Sequence, residues 1–273
     1  MGTGTAPKLF TTLQHHLSYR ARESWFRRVV ERRKPDRLSG FFEANSGFLT
    51  NSHTAATANR LNERYRAMIE SNRDIIAGCR VLDLASHDGR WSFAAVESGA
   101  SYVLGIEARS HLVAAAREHL SQWPVSARVE FRIGDVLSEL PQLSEAFDTV
   151  FCFGFLYHMI DHMALFRAIR RLNPKHLVID TVISFHPGAI IEVREEAIDV
   201  ESAAAFAESG SPGWALKGYP TKSALEMMLN AAGFGEIRYW NWKEAGVRCW
   251  TDLKDYYLGG RMTLRCATRQ RGH

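Results

Sequence analysis

The stretch Val81–Ala95 reads VLDLASHDGRWSFAA, and it decides the fold of the chain. Its first residues, VLDL, are apolar apart from one aspartate, which predicts a buried strand. Its last residues, RWSFAA, favour a helix, and the turn ASHDG joins the two. A strand that runs into a helix through such a turn often holds a nucleotide-like ligand. The turn contains one glycine, which raises the question of which ligand accepts a histidine in its middle.

From Gly78 onward, strands and helices alternate along the sequence. We predict strands at 80–85, 102–107, 128–133, 147–153, 176–182, 235–242 and 262–268, and helices at 90–98, 110–121, 161–171 and 221–232. Apolar strands that alternate with helices form a mostly parallel sheet covered on both faces. The last two strands have no helix between them, so we expect an antiparallel pair. The predicted fold is therefore α/β and Rossmann-like, with a seven-stranded sheet.

Two segments lie outside this alternation. Residues 1–75 are predicted to form a helical extension, with amphipathic helices at 13–34 and 55–76. The rest, 76–273, forms the sheet domain, which residues 183–220 interrupt after the fifth predicted strand. Ligands of such sheets bind at the carboxyl ends of the strands, where this acidic, aromatic-bearing insertion begins. We predict that the insertion is a substrate lid, and the alternative is a surface excursion with a short helix.

Composition and charge narrow the class of protein. The chain has 273 residues, of which 46% are hydrophobic and 23% charged, as in an ordinary globular protein with a sizeable core. The net charge is +4, and residues 1–40 carry nine Lys or Arg against three Asp or Glu. No signal core and no run of 18 apolar residues occurs, and the four cysteines lie far apart. We expect a cytoplasmic protein with reduced thiols and no membrane partner.

The turn disfavours a dinucleotide. In the fingerprint G-x-G-x-x-G, the glycine positions correspond here to Ala85, His87 and Arg90. A pyrophosphate needs close approach of the backbone, which a side chain at the middle position obstructs. S-adenosylmethionine carries no phosphate, because it is an adenosine joined to methionine through a sulfonium. The turn therefore fits S-adenosylmethionine better than NAD or FAD.

At residues 76–268 the sequence resembles the class I S-adenosylmethionine-dependent methyltransferases. The family's turn has the form D-x-G-x-G-x-G, which Asp83 and Gly89 match and from which Ala85 and His87 depart. The stretches FDTVFCFGFLYH and EMMLNAAGF resemble the family's fourth strand and its helix before the sixth strand. Within the family, the turn and GFLYH are most similar to the branch of tRNA wobble-uridine carboxymethyltransferases and its small-molecule relatives.

This resemblance implies how the cofactor is bound. Glu107 ends the second strand in VLGIEA, where the family's acid accepts both ribose hydroxyls. Asp135 follows the third strand in FRIGDV, where the family's acid binds the adenine amine. The implied cofactor-binding residues are Asp83, Ala85, Ser86, His87, Asp88, Gly89, Glu107, Ala108, Asp135, Val136 and Phe153.

The exit of the fourth strand, FGFLYHMIDHM, supplies the candidate catalytic residues. Methyl transfer from a sulfonium is an in-line displacement, and a hydroxyl acceptor also needs a base. His158 is the first residue past the exit with a suitable pKa, His162 is the fallback and His87 a third candidate. The alternative for His158 is a packing or capping role. We expect Asp161 to cap the helix at 161–171.

A divalent metal is an alternative that the sequence does not favour. His158 and His162 are four residues apart, and Asp180 at the end of the fifth strand could join them. The predicted helix begins between the two histidines, so they would not share a helical face. No cysteine–histidine set has the spacing of a zinc site.

The bulk charge near neutrality favours a small acceptor, and we expect O-methylation of a hydroxyl on a carbohydrate, glycoside or natural product. The alternative is RNA, bound through the basic stretch SYRARESWFRRVVERRK at 18–34, which could instead be a solvated amphipathic helix. A third alternative is a catalytically inactive binding protein, against which Glu107 and Asp135 argue. The sequence leaves the acceptor and the oligomeric state open.

Overall fold

The structure is a computed structural model that describes residues 40–50, 57–198, 204–207, 210, 212–243 and 252–269. The strands are β1 (Arg80–Leu84), β2 (Tyr102–Glu107), β3 (Val129–Ile133), β4 (Thr149–Phe153), β5 (His176–Val182), β6 (Ile191–Ala197), β7 (Trp214–Pro220), β8 (Phe234–Tyr239) and β9 (Arg261–Thr268). The α-helices are α1 (Phe41–Ala44), α2 (Gly47–Thr50), α3 (Ala58–Met68), α4 (Arg90–Glu97), α5 (Ser110–Leu120), α6 (Val136–Glu139), α7 (His162–Arg171), α8 (Lys222–Ala231) and α9 (Lys254–Tyr257). Short 3-10 helices lie at Glu70–Ile75, Pro124–Arg128, Leu140–Gln142 and Leu156–His158. The helix predicted at 13–34 and one of the four cysteines, Cys249, lie outside the described residues.

Seven strands form one sheet in the order β3-β2-β1-β4-β5-β9-β8. The first five strands pair in parallel, and β9 runs antiparallel to both β5 and β8. The Rossmann-like α/β fold and the antiparallel pairing of the last two strands are thereby confirmed. The order of the strands reverses between β1 and β4, and this switch point opens a crevice at their carboxyl ends.

Apolar side chains cover both faces of the sheet. Successive residues of a strand point to opposite faces, so Val81 and Leu82 belong to two different core clusters. Phe93 of α4 is fully buried in the first cluster, and Phe166 of α7 is fully buried in the second. This two-sided burial is the reason why the strands read as continuous apolar runs in the sequence.

The described part of the N-terminal region packs into the first cluster. Phe42, Phe48 and Leu61 from α1, α2 and α3 are buried there together with Phe93 of the sheet domain. The single helix predicted at 55–76 is divided into α3 and a 3-10 turn. These residues therefore share a hydrophobic core with the sheet domain.

The insertion at 183–220 contains a β-hairpin. Strands β6 and β7 pair antiparallel from Ile191↔Pro220 to Ala197↔Trp214 and form a separate two-stranded sheet. The short helix of the alternative interpretation is not found in the described residues of this segment. Its glutamates favour helix locally, but pairing with the Trp, Leu and Tyr of WALKGYP stabilises the extended form. The β7 strand packs against the 3-10 turn that follows β4.

Candidate active site

A cavity of about 830 Å³ lies at the carboxyl ends of β1, β2, β3 and β4. Helix α3, helix α9 and the insertion complete its wall. A volume in the range of about 300–1,000 Å³ is usual for pockets that bind small ligands and cofactors. Eight of the residues that the sequence implicated line it: Ala85, His87, Glu107, Ala108, Asp135, Val136, Phe153 and His158.

The turn after β1 keeps a glycine-like backbone in spite of its sequence. Ala85, His87 and Gly89 all have left-handed φ angles, of 53°, 53° and 75°. A Cβ on Gly89 would lie 2.7 Å from the ring of Phe131, so a larger residue does not fit there. Because non-glycine residues rarely adopt this conformation, Ala85 and His87 are strained. The departures from the family's glycines therefore change the side chains that face the cavity, while the path of the backbone is kept.

Four residues of the implied cofactor set do not line the cavity: Asp83, Ser86, Asp88 and Gly89. Asp83 lies beneath the turn and accepts a 2.7 Å hydrogen bond from Ser92 Oγ. Asp88 is 1% exposed and binds the Arg90 guanidinium through both oxygens, at 2.7 and 2.6 Å. Burial alone would raise the pKa of Asp88, but Arg90 and His87 lower it to about 2. Asp83 and Asp88 therefore support the turn from below, and direct contact of these four residues with the cofactor stays a prediction.

Two carboxylates line the cavity where the resemblance placed them. Glu107 ends β2 and is 1% exposed; its Oε2 accepts the His87 backbone N–H at 3.0 Å, and its Oε1 accepts the Arg109 backbone N–H at 3.0 Å. Asp135 follows β3, and its Oδ2 accepts the Ser138 backbone N–H at 2.9 Å as the cap of α6. Each carboxylate has further lone pairs, which suit the hydroxyl and amine donors of an adenosine.

Part of the cavity wall is apolar. Val136, Leu137 and Phe153 line the cavity beside Asp135. This combination of an apolar slot with two hydrogen-bond acceptors fits the adenosine of S-adenosylmethionine. The observed residues are therefore chemically suited to that cofactor.

His158 also lines the cavity, from the 3-10 turn after β4. Its side chain is 14% exposed, and Nδ1 lies 3.2 Å from Oε2 of Glu196 on β6. Burial lowers the pKa of His158 and the Glu196 hydrogen bond partly offsets this, while Lys217 and Arg109 lower it further. A neutral imidazole near pH 7 is therefore favoured at this position.

The structure does not bring His162 to the cavity. Its side chain is fully buried under β7, where Nε2 donates a 3.0 Å hydrogen bond to the Leu156 carbonyl. A Cβ on Gly218 would lie 3.2 Å from its ring, so the histidine fills space between α7 and the hairpin. The fallback role as a base is therefore not supported. Asp161 does occupy the N-cap position of α7, but its side chain makes no capping hydrogen bond.

Asp180 is held by other side chains and is not available to a metal. Its Oδ1 accepts from Arg261 Nε at 2.7 Å and Arg64 Nη2 at 3.1 Å, and its Oδ2 accepts from the hydroxyls of Tyr256 and Thr263 at 2.7 Å. Burial would raise the pKa of Asp180, but the two arginines lower it to about 2. Within the described ranges, no group of three or more His, Cys, Asp or Glu side chains is arranged to hold a metal ion.

The sequence analysis missed several side chains of the cavity wall. Trp91 and Tyr157 stand inside the stretches that were quoted, where an aromatic residue next to a motif was the only signal. Arg64 of α3 and Arg261 of β9 also line the cavity. These two arginines are 197 positions apart and meet only through Asp180, so no local pattern could have paired them.

Comparison with known proteins agrees with this geometry. Residues 81–175 match the family described as a methyltransferase domain. The chain is 27% identical over 169 residues to a tRNA U34 carboxymethyltransferase of Azotobacter vinelandii, and 29% identical over 170 residues to one of Pseudomonas aeruginosa. Each alignment covers 60% of this chain and 47% of the relative. The chain thus spans about half the length of the curated relatives it matches.

Solved structures share the fold. The N-terminal domain of EvdMO1, in the presence of S-adenosylhomocysteine and D-fucose, has a TM-score of 0.57 at 20% identity, covering 80% of this chain and 85% of that one. An S-adenosylmethionine-dependent methyltransferase of Mesorhizobium loti has a TM-score of 0.53 at 20% identity, covering 77% and 98%. The chain therefore contains a region that matches a methyltransferase domain, within a Rossmann-like fold that it shares with S-adenosylmethionine-dependent methyltransferases. No helix in the described part of the chain is long and apolar enough to span a bilayer.

Proposed function

We propose that the chain methylates a hydroxyl of a small-molecule acceptor, with His158 as the general base. The observation that supports this most directly is the position of His158. It lines the same cavity as Glu107 and Asp135, and its Nε2 has no partner among the residues that the structure describes. The lowered pKa of His158 keeps the nitrogen unprotonated, which a base requires.

Aromatic side chains in the cavity wall support an acceptor that contains a ring. Phe155 and Tyr157 follow β4, and Phe206 belongs to the insertion; all three line the cavity. Phe206 is 54% exposed, which is unusual for a large apolar side chain unless a ligand or partner covers it. Aromatic faces of this kind stack on sugar rings and aryl groups. A carbohydrate, glycoside or aromatic natural product is therefore the acceptor class that we propose.

The division of labour in the reaction follows from these positions. The cofactor supplies an electrophilic methyl on its sulfonium. His158 would accept the proton of the acceptor hydroxyl as its oxygen bonds to the methyl group, and the sulfur of the bound cofactor would keep the electron pair of the bond that breaks. The apolar wall of Phe153 and Phe155 excludes water, so the hydroxyl depends on His158 for its deprotonation.

The test is a screen of acceptors by mass spectrometry. The full chain is incubated with S-adenosylmethionine and a panel of glycosides, phenols and polyols, and each product is examined for one added methyl group on oxygen. We expect methylated product from the wild type and strongly reduced product from His158→Ala. Methylation of nitrogen alone, or equal turnover without His158, would contradict the proposal.

A second candidate is transfer of a carboxymethyl group to RNA, the activity named for the curated relatives. The observation that favours it is the pair Arg64 and Arg261, which share the single carboxylate of Asp180 on the cavity wall. The side-chain Nε of Arg64 is buried without a hydrogen-bond partner. An excess positive charge in a buried site suits a donor whose transferred group carries a carboxylate.

Calorimetry and a binding assay separate the two candidates. Transfer of carboxymethyl predicts that a donor with a carboxylate on its sulfonium methyl binds more tightly than S-adenosylmethionine. It also predicts tRNA binding that weakens steeply with salt and depends on Arg27 and Arg28 in the basic stretch at 18–34, outside the described residues. O-methylation of a small molecule predicts preference for S-adenosylmethionine and no tRNA binding.

A further inference from the structure

Glu196 lies at the centre of a small polar network between β6, β7 and the exit of β4. Its side chain is 16% exposed, and its Oε1 forms an ion pair with Lys217 Nζ. Its Oε2 lies 3.2 Å from His158 Nδ1 and accepts the Ala204 backbone N–H at 3.1 Å. Both carboxylate oxygens therefore have partners, and each partner must donate a hydrogen bond to the oxygen that it contacts.

These contacts determine which nitrogen of the His158 ring carries the proton. The network holds the pKa of Glu196 at about 2: burial would raise it, but His158 and Lys217 outweigh burial. An ionised carboxylate can only accept hydrogen bonds, so the neutral His158 ring must carry its proton on Nδ1. The unprotonated nitrogen is then Nε2, and Nε2 is the atom that a general base needs to present to its substrate.

We propose that Glu196 is a positioning residue, delivered by the insertion, that selects the Nδ1–H tautomer of His158 and so aims the basic Nε2 at the acceptor. This rests on the proposed role of His158 as the base. Lys217 takes part by holding the other oxygen of Glu196, and the Tyr157 ring lies beside the imidazole, tilted by 36° with ring centroids 4.2 Å apart. The insertion thus does more than cover the cavity, since it carries the group that prepares the base.

The hairpin supplies this group from a distance in sequence. Glu196 is 38 positions from His158 and reaches it because β7 packs against the 3-10 turn of Leu156–His158. Displacement of the hairpin would remove Glu196, Lys217 and the Ala204 contact together. The three contacts therefore all depend on the packing of the hairpin against this turn.

The charged groups around His158 come from three elements. Glu196 raises the pKa of the ring, whereas Lys217 of β7 and Arg109, after β2, lower it, and burial lowers it most. Replacing Glu196 by Gln removes the stabilising negative charge, so the pKa of His158 should fall. Replacing Lys217 by Met removes a repelling positive charge, so the pKa should rise.

Glutamine at 196 also creates a conflict of donors. If its carbonyl faces Lys217, its amide donates toward His158 Nδ1 and favours the Nε2–H tautomer. If its carbonyl faces His158 and Ala204, its amide group faces the Lys217 ammonium, and two donors cannot form a hydrogen bond. Each orientation therefore loses one favourable contact. In the double variant E196Q/K217M the second conflict is absent, and the carbonyl can again face His158.

The experiment is ¹⁵N NMR of the histidine rings in the full chain saturated with S-adenosylhomocysteine, with His158→Asn used for assignment. We expect the Nδ1–H tautomer in the wild type, a gain of Nε2–H in E196Q, and recovery of Nδ1–H in E196Q/K217M. The matched control is Glu195→Gln, because Glu195 is the exposed neighbour on the same strand, and it should leave the His158 signals unchanged.

Three results would overturn the inference: an Nε2–H wild type, the same tautomer in E196Q as in the wild type, or a His158 pKa that does not rise in K217M. The last measurement keeps the test informative if E196Q folds poorly. Failure of the proposed function looks different. Normal turnover in His158→Ala together with the expected tautomers would refute the base and leave the pairing of Glu196 with His158 intact.

Discussion

Ser92 donates a 2.7 Å hydrogen bond to the carboxylate of Asp83, and both side chains are buried beneath the cofactor turn. Burial raises the pKa of Asp83 to about 7; the Ser92 hydrogen bond opposes this rise, and the charges of Glu107 and Asp88 add to it. An acid that looks like a cofactor ligand in the sequence is therefore a buried support. The protonation state of Asp83 therefore affects the free energy of unfolding of the domain.

The first prediction concerns Asp83→Asn. Between pH 4 and 7 the unfolded carboxyl releases its proton while the folded one retains it, so the wild type loses stability as the pH rises through this window. About three pKa units at 1.36 kcal/mol each give an upper limit of about 4 kcal/mol. The asparagine variant should not lose stability in this way. Urea unfolding of both proteins at pH 5 and pH 8 measures the difference. The same decline in both proteins would mean that Asp83 titrates normally.

The second prediction concerns Glu107, which lines the cavity. Replacement by Gln keeps the shape but removes the charge and one acceptor, so the affinity for S-adenosylhomocysteine should fall by about 1–3 kcal/mol. NAD should not bind either protein. Calorimetry measures both, with Glu97→Gln on the exposed end of α4 as the control of equal charge change. Unchanged affinity in Glu107→Gln would show that this acid does not bind the ribose.

The third prediction contrasts the two histidines. His158→Ala should reduce turnover by about 10²–10⁴-fold and leave the affinity for S-adenosylhomocysteine nearly unchanged. His162→Ala should instead lower the free energy of unfolding by about 1–3 kcal/mol, because it leaves the buried Leu156 carbonyl without its donor. Turnover, titration and urea unfolding of both variants decide this. If His162→Ala lost turnover without losing stability, the assignment of the two roles would be reversed.

The fourth prediction concerns Asp180. Replacement by Asn leaves Arg64 and Arg261 without a buried counter-charge and should cost about 3–5 kcal/mol of unfolding free energy at pH 7. The pKa of Asp180 is lowered to about 2, so its contribution is present above about pH 4 and is lost as the pH falls toward 2. The gap between wild type and variant should therefore narrow in acid.

A surface pair provides the control for Asp180. Asp74 and Arg265 form an exposed ion pair at 2.8 Å, so Asp74→Asn should change the unfolding free energy by less than about 1 kcal/mol. Chemical denaturation between pH 3 and 7 compares the two substitutions. Equal losses in both variants would mean that the cluster around Asp180 is no stronger than a surface salt bridge.

The sequence by itself determined the sheet, the turn and the cofactor class. The bounds predicted at 102–107 and 176–182 coincide with β2 and β5, because a parallel strand buried on both faces is a continuous apolar run that can be read directly. The strand pattern predicted Glu107 at the end of β2 and Asp135 after the end of β3, and the resemblance to class I methyltransferases implied their roles. Local sequence patterns therefore predicted most of the residues in the part of the cavity that we assign to the cofactor.

Only the tertiary structure showed which residues come together in the part of the cavity that we propose for the acceptor. The strands of the insertion exist because IEVREEA finds a partner in WALKGYP, a choice that local propensity does not contain. Glu196 meets His158 across 38 positions, and Arg64 meets Arg261 through Asp180 across 197. Whether a carboxylate supports a turn, as Asp83 does, or lines a cavity, as Glu107 does, depends on what packs over it. Burial and long-range pairing are properties of the folded chain, and no pattern along the sequence records them.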